Sequence, residues 1–268
     1  MNIQSSTPLV LRQDHGAVTH LVLNQPLRRN CLSLAMLAAL QAALDQAGAD
    51  QSVRVIVLSG QGSAFCAGHD LRELTAHRAD ADKGAGFFSA TMQQCSALMQ
   101  SILALPQPVI AAVEGLATAA GCQLVATCDL AIAAGQASFC TPGVDIGLFC
   151  STPMVALSRN VPRKAALGML LTGEPIGAAE ALRIGLVNQI ADAGGAVAAA
   201  LELAQKLAKK PRRTVAMGKK AFYAQAEMSL SLAYDHASII MAQCLLGADA
   251  SEGIDAFLHK REPHWAQD

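Results

Sequence analysis

Short β-branched runs alternate with Ala/Leu-rich stretches along the first half of the chain. The segments LVLRQD and VTHLVLNQ predict a hairpin pair, SLAMLAALQAALDQA a helix, and VRVIVLSG the next strand. After the glycine-bearing loop QGSAFCAGHDL and a polar stretch to about Ala85, FFSATMQQCSALMQSILAL predicts a second helix that stops at Pro106. PVIAAVEG, AAGCQLVATCD and LAIAAG then read as strand, helix and strand. The following SFCTPGVDIGLFCSTP reads as a long loop, with Ser151 or Thr152 capping a helix that begins near Pro153. Strand, Gly/Ala loop and helix thus occur twice, which is the rhythm of a layered α/β sheet.

Past Pro162 the pattern becomes helical almost throughout, and only LVNQI looks extended. No Pro-, Gly- or Ser-rich linker, low-complexity tract or solenoid period interrupts the chain, so a separate second domain is not expected. The helical end is expected to pack on the α/β core or on a neighbouring subunit.

Composition narrows the partners. The chain has 268 residues, 52% of them hydrophobic and 15% charged, enough to bury a large core. A formal net charge of -1 provides no broad attraction to nucleic acid or to an anionic membrane, which leaves small molecules and copies of itself. No apolar run reaches the roughly 18 residues of a membrane span. The eight cysteines lack CxxC or zinc-finger spacing, so they read as reduced, buried thiols and no metal site is expected. The start MNIQSSTPLVLRQDHG resembles neither a signal nor a transit peptide, and a cytosolic location is expected from it.

Two loops carry the candidate chemistry. Polarising a carbonyl takes two N–H donors converging on its oxygen, and a Gly/Ala loop at a helix N-terminus supplies one without steric obstruction. TAAGC has that form. FCAGHDL is the natural second source, because Ala67 and Gly68 leave the backbone accessible.

The motifs AFCAGHDL, PVIAAVEGLATAAGCQLVATCDLAIA, SFCTPGVDIGL, LTGEPIGAAEALRIGLVNQI and EGIDAFLHKR, in this order, resemble the enoyl-CoA hydratase/isomerase (crotonase) superfamily. The segment GLFCSTPMVALSRNVPRK narrows that resemblance to one subgroup. The resemblance implies a crotonase-like α/β fold, a spiral of ββα repeats over residues 1–195. Residues 196–268 would form a helical C-terminal oligomerisation region, assembling a trimer or a dimer of trimers. It implies an acyl-CoA thioester as partner, with coenzyme A entering as part of the substrate and no tightly bound cofactor. Carried over by position, the oxyanion donors are the backbone N–H groups of His69 and Ala120. Ala67, Gly68, Asp70, Leu71 and Gly143 fall on the substrate side. Leu27, Arg28 and Arg29 match the segment contacting the nucleotide end of CoA, where a cationic pair suits phosphates. Phe257 and Lys260 match residues that reach a neighbouring subunit's CoA.

The expected acids are missing. Hydrating an enoyl thioester needs one group that takes a proton from water and one that delivers a proton to the α-carbon. Where hydratases of this superfamily place their two glutamates, this chain has Gln123 and Gly143, and a third acidic position used elsewhere in it falls on Ser151. An amide does not act as a base near neutrality, and glycine has no side chain. The remaining candidates for chemistry are Gln123 as a polar pocket residue and Cys150 or Ser151 as nucleophiles. Asp145 reads as a structural loop residue, and Asp70 as the cap of the short helix DLREL. Glutamates restored at positions 123 and 143 together are expected to raise hydratase activity more than either alone.

Overall fold

The computed structural model describes residues 7–265. Residues 1–6 and 266–268, where part of the leader reading and the end of the C-terminal region fall, lie outside the described residues. Strands β1 (Val10–His15) and β2 (Val18–Leu23) form the expected antiparallel hairpin. Every residue of β2 is buried, whereas most of β1 is exposed, as befits an edge strand beside a central one. Helix α1 (Leu34–Ala49) starts at Ser33, whose hydroxyl accepts the Met36 N–H at 3.2 Å. Leu37, Leu40 and Leu44 share one face of α1 and are fully buried, each contributing about 1.5–3 kcal/mol over exposure.

The chain then repeats a long strand, a short strand and a helix. The first unit is β3 (Val55–Gly60), β4 (Ala64–Cys66), the short α2 (Leu71–Ala76) and α3 (Ala85–Ala104). The second is β5 (Val109–Val113), β6 (Leu116–Thr118) and α4 (Ala120–Thr127). The third is β7 (Leu130–Ala134), β8 (Ser138–Cys140) and α5 (Ser151–Asn160). After α6 (Arg163–Thr172) come β9 (Ile176–Gly177), α7 (Ala178–Arg183) and β10 (Gln189–Ala191). The long strands make one sheet in the order β1-β2-β3-β5-β7-β10, parallel from β2 onward. The short ones make a second sheet, β4-β6-β8-β9.

That second sheet corrects the reading of QGSAFCAGHDL and SFCTPGVDIGLFCSTP as plain loops. Each contributes a three-residue strand, too short to show a period of two and stabilised by pairing with strands far along the chain. The start of α5 is also corrected: it begins at Ser151 with Cys150 in the cap position, and neither Ser151 nor Thr152 caps it by side chain. Pro153 sits within the first turn, where a missing N–H costs no intrahelical bond.

Both faces of the main sheet are covered. Leu21, Leu58 and Val113 join α1, α3 and α4 in the larger core. On the other face, α8 (Ala196–Ala208) lays Ala200 and Ala204 against Val57, Ile110 and Ile132, and the small side chains admit close helix-to-sheet approach. The sheet's second covering layer therefore comes from residues past 195. Helices α9 (Arg212–Ala226), α10 (Leu230–Leu246) and α11 (Ala248–Leu258) follow. α9 is tied to the core by Lys219, whose ammonium donates to Asp129 Oδ2 at 2.7 Å and to the Ile102 and Gln107 carbonyls at 2.9 Å. Neither α9 nor α10 has a buried residue within one chain.

Candidate functional site

The parallel pairing of β4 with β6 and of β6 with β8 delivers three chain segments to one edge of the short sheet. A cavity of about 730 Å³ opens there. Its wall takes Ala67, His69 and Leu71 from the segment after β4, and Thr118, Ala119 and Ala120 from the junction of β6 and α4. Gly143, Cys150 and Ser151 complete it from the segment after β8.

Two glycines let the first two segments touch. Gly68 has φ +81°, and a Cβ on it would stand 2.9 Å from Ala119 Cβ and 3.3 Å from the Ala120 nitrogen. Gly121, in the first turn of α4, lies so close to β4 that a Cβ there would overlap the Cys66 carbonyl. Between them Ala119 is held at φ 51° and ψ −119°, a costly backbone for an L-residue, while its N–H donates to Cys140 O at 2.9 Å. The loop before His69 is pinned on the opposite side, with Leu32 N–H donating to Gly68 O at 2.7 Å and Ala67 N–H to Arg29 O at 3.0 Å. Among the described residues, the His69 and Ala120 N–H groups meet no protein acceptor. Two unspent donors on contacting loops, one at a helix N-terminus, are suited to hold and polarise a carbonyl oxygen.

The side chains divide differently. Asp70 is the helix cap that its sequence context predicts, its Oδ1 accepting the Arg72 and Glu73 N–H groups at 3.0 and 3.3 Å. Its Oδ2 stands 2.9 Å from Arg28 Nη2, so the half-exposed Arg28 is tied to a buried carboxylate. Arg29 forms no ion pair among the described residues, and Leu27 is fully exposed on the short turn Pro26–Arg28. His69 places Nδ1 3.3 Å from Leu32 O, and burial pushes the ring's pKa down.

Every residue of α4 is buried, Gln123 among them; of that helix Ala120 lines the cavity and Gln123 is not among the lining residues. Its Oε1 has no hydrogen-bond partner among the described residues. Cys150 and Ser151 both line the cavity. Burial pushes the Cys150 thiol up, away from the thiolate form that reacts, and the exposed Ser151 hydroxyl donates to Phe149 O at 3.2 Å. Gly143 has no room for a side chain: a Cβ would stand 2.9 Å from both Cys150 Sγ and Leu148 O. A glutamate restored at position 143 would have to displace Cys150 and the Leu148 carbonyl, which bears on the cooperation expected of the two glutamates. Asp145 is exposed on the turn Pro142–Ile146, with Oδ2 3.0 Å from where a Gly173 Cβ would be.

Phe257, in the last turn of α11, and Lys260, just beyond its end, are exposed and outside the lining of the cavity in one chain. Among the described residues no cluster of three His, Cys, Asp or Glu can hold a metal ion. Several lining residues escape the motif reading, notably Phe88 and Met92 on α3 and Arg78, whose guanidinium lies 5.8 Å from the Phe88 ring centre. Their signal is the i, i+4 spacing of Phe88 and Met92, which places both on one face of α3. Leu148 and Phe149, in the segment read as loop, supply further apolar wall.

Comparison with known proteins agrees with this architecture. Residues 13–268 match the family model described as enoyl-CoA hydratase/isomerase. The chain is 46% identical over 263 residues to the rat (Rattus norvegicus) enoyl-CoA hydratase domain-containing protein 3, covering 98% of this chain and 86% of that protein. Among solved structures, an enoyl-CoA hydratase from Mycobacterium smegmatis superposes with a TM-score of 0.91 at 47% identity, covering 97% of this chain and 99% of that one. Human enoyl-CoA hydratase domain-containing protein 3 does so with 0.90 at 45%, covering 96% and 100%. The cytosolic location expected above is overturned here, because the rat, mouse and human relatives are named as mitochondrial. Buried thiols fit any reducing compartment and do not separate one from another. The fold is crotonase-like, and the chain belongs to the enoyl-CoA hydratase/isomerase family.

Proposed function

We propose that this chain binds an acyl-CoA thioester in the 730 Å³ cavity and stabilises the enolate formed from it. The observation that carries this reading is the pair of unspent N–H donors, His69 and Ala120, on loops that Gly68 brings into contact. Charge that develops on a thioester oxygen during enolisation meets donors already in place; one such donor is typically worth about 100- to 1000-fold in rate. The apolar wall around Phe88, Met92 and Leu148 suits an acyl chain. Arg28 is engaged by Asp70, whereas Arg29 has no ion pair among the described residues and can meet the phosphates at the nucleotide end; coenzyme A enters as part of the substrate, with no tightly bound cofactor required. Substrates are acyl- or enoyl-CoA esters whose reaction proceeds without the usual pair of glutamates.

A second reading, a non-catalytic acyl-CoA binding protein, is favoured by one observation: Cys150 and Leu148 occupy the space a carboxylate at position 143 would need. Titration calorimetry with butyryl-CoA, followed by turnover assays on short and medium enoyl-CoAs, separates the two. Binding with product formation supports the first, and binding without product across the panel supports the second. No binding of any CoA ester overturns both.

The same reading includes self-association. α10 and α11 expose Leu230, Leu232, Tyr234, Ile239, Met241 and Phe257, an apolar area that a trimer or a dimer of trimers would cover. Light scattering that reports a monomer at micromolar concentration overturns this part.

A further inference from the structure

The largely apolar wall of the cavity carries one unanswered positive charge. Leu71, Leu74 and Arg78 all line it. Their spacing of three and then four residues puts them on one face of α2 and of the turn His77–Ala79 that continues it. That face starts just past His69, whose N–H is one of the two carbonyl donors. At a rise of about 1.5 Å per residue, Arg78 lies roughly 10 Å beyond Leu71 along the axis. Phe88 and Met92 add apolar surface from α3, as do Leu148 and Phe149. Leu71, Leu148 and Phe149 are exposed, so this surface has room for an apolar chain.

No carboxylate of the protein neutralises Arg78. Among the described residues its guanidinium has no ion pair, and its partner is the Phe88 ring, centred 5.8 Å away. The acids close to it in sequence are engaged elsewhere. Asp80 Oδ2 pairs with His77 Nδ1 at 2.7 Å, Asp82 accepts the Gly84 and Gly86 N–H groups at 2.9 and 2.7 Å, and Glu73 accepts the Leu34 N–H at 3.1 Å. Asp145, the acid of the lining, comes from the segment after β8 and stands against Gly173. A guanidinium is a permanent cation whose planar fork matches a carboxylate.

We propose that the acyl-CoA esters suited to this site carry a second carboxylate at the far end of the acyl chain, and that Arg78 holds it. This rests on the acyl-CoA reading above. With the thioester oxygen on the His69 and Ala120 N–H groups, the methylenes run along Leu71 and Leu74 toward Phe88, and the terminal carboxylate meets the guanidinium. The phosphates of CoA lie on the other side of the thioester carbonyl, where that reading gives them to Arg29. A chain ending in a methyl group gains the apolar contacts alone and leaves the cation unpaired. Arg78 is thus a specificity-determining residue that selects diacid thioesters over fatty acyl ones.

Adipoyl-CoA and hexanoyl-CoA differ only in a carboxylate for the terminal methyl, so their affinities isolate this contact. The test is calorimetry with both esters on the wild-type protein, Arg78→Met and Arg78→Gln, with folding checked by circular dichroism. Wild-type protein is expected to bind adipoyl-CoA about tenfold more tightly than hexanoyl-CoA. Either variant keeps an extended stem beside Phe88 and removes the charge, so each should erase that gap while hexanoyl-CoA affinity stays within roughly threefold. Wild-type binding without a preference for adipoyl-CoA overturns the assignment, as does a gap that survives in either folded variant. Equal weakening of both esters by the substitutions overturns it as well, because Arg78 would then be meeting the CoA portion. Failure of the wild-type protein to bind either ester instead overturns the acyl-CoA reading, and the assignment with it.

Discussion

The sulfur of Cys150 stands 2.9 Å from the point where a side chain at Gly143 would begin. The second glutamate of a family hydratase is thus excluded by volume as well as missing by identity, since Leu148 O blocks the same point at 2.9 Å.

Gly143→Glu is therefore expected to destabilise the protein by about 1–3 kcal/mol through overpacking. Paired with Gln123→Glu, it should give no more hydration of crotonyl-CoA than Gln123→Glu alone. Adding Cys150→Gly should recover part of the lost melting temperature, because it removes the sulfur but not the Leu148 carbonyl. Thermal melts and hydration assays on the four proteins check this; a clear activity gain from the pair would contradict the packing argument.

Arg28 and Arg29 are adjacent and chemically alike, yet only Arg28 is paired with Asp70, at 2.9 Å. Arg29→Ala should lower butyryl-CoA affinity by about tenfold and flatten its salt dependence, as expected when a charge-assisted phosphate contact is lost. Arg28→Ala should leave the salt slope in place and cost about 1 kcal/mol of stability, a value held down by solvent around the half-exposed guanidinium. Calorimetry at two ionic strengths and a denaturant melt separate the two residues. Equal salt slopes for both variants would show that the distinction is false.

Lys219 and Asp129 form a nearly dry pair, with side chains 7% and 13% exposed, and Tyr223 OH donates to the same carboxylate at 2.8 Å. Lys219→Met leaves that carboxylate buried without its cation and should cost about 3–5 kcal/mol. Tyr223→Phe removes one hydrogen bond to a charged group and should cost about 1.5–3 kcal/mol. Chemical denaturation measures both. A Lys219→Met protein as stable as wild type would mean that α9 does not depend on this tether.

His20 is buried, with Nε2 2.7 Å from Ser59 Oγ, and burial lowers its pKa to about 4. Between pH 6.5 and 4 the unfolded chain binds a proton that the folded chain refuses. Its contribution is complete above 6.5 and is lost as the pH falls through that window, by on the order of 3 kcal/mol. Stability measured against pH in wild type and His20→Gln should show a steeper acid loss in wild type. Parallel curves would rule the contribution out.

Much of the fold is legible in the chain because it is local. The all-buried β2, the leucine face of α1 beginning at Ser33, and the Gly/Ala start of α4 each declare themselves within a few residues. The two donor loops are legible for the same reason, since small residues before a helix are a local signature. The short sheet is not, because β4, β6 and β8 have three residues each and exist only through pairing across dozens of positions.

By itself the sequence determined the family, the alternation of strand and helix, and the absence of glutamate at positions 123 and 143. Tertiary structure alone decided that Gln123 is buried, that Cys150 fills the space beside Gly143, that Asp70 claims Arg28, and that the His69 ring stands beside the Leu32 carbonyl. Residue type limits which protons and charges a side chain can carry. Which of them is available for chemistry depends on the distances and burial set by segments that meet only after folding.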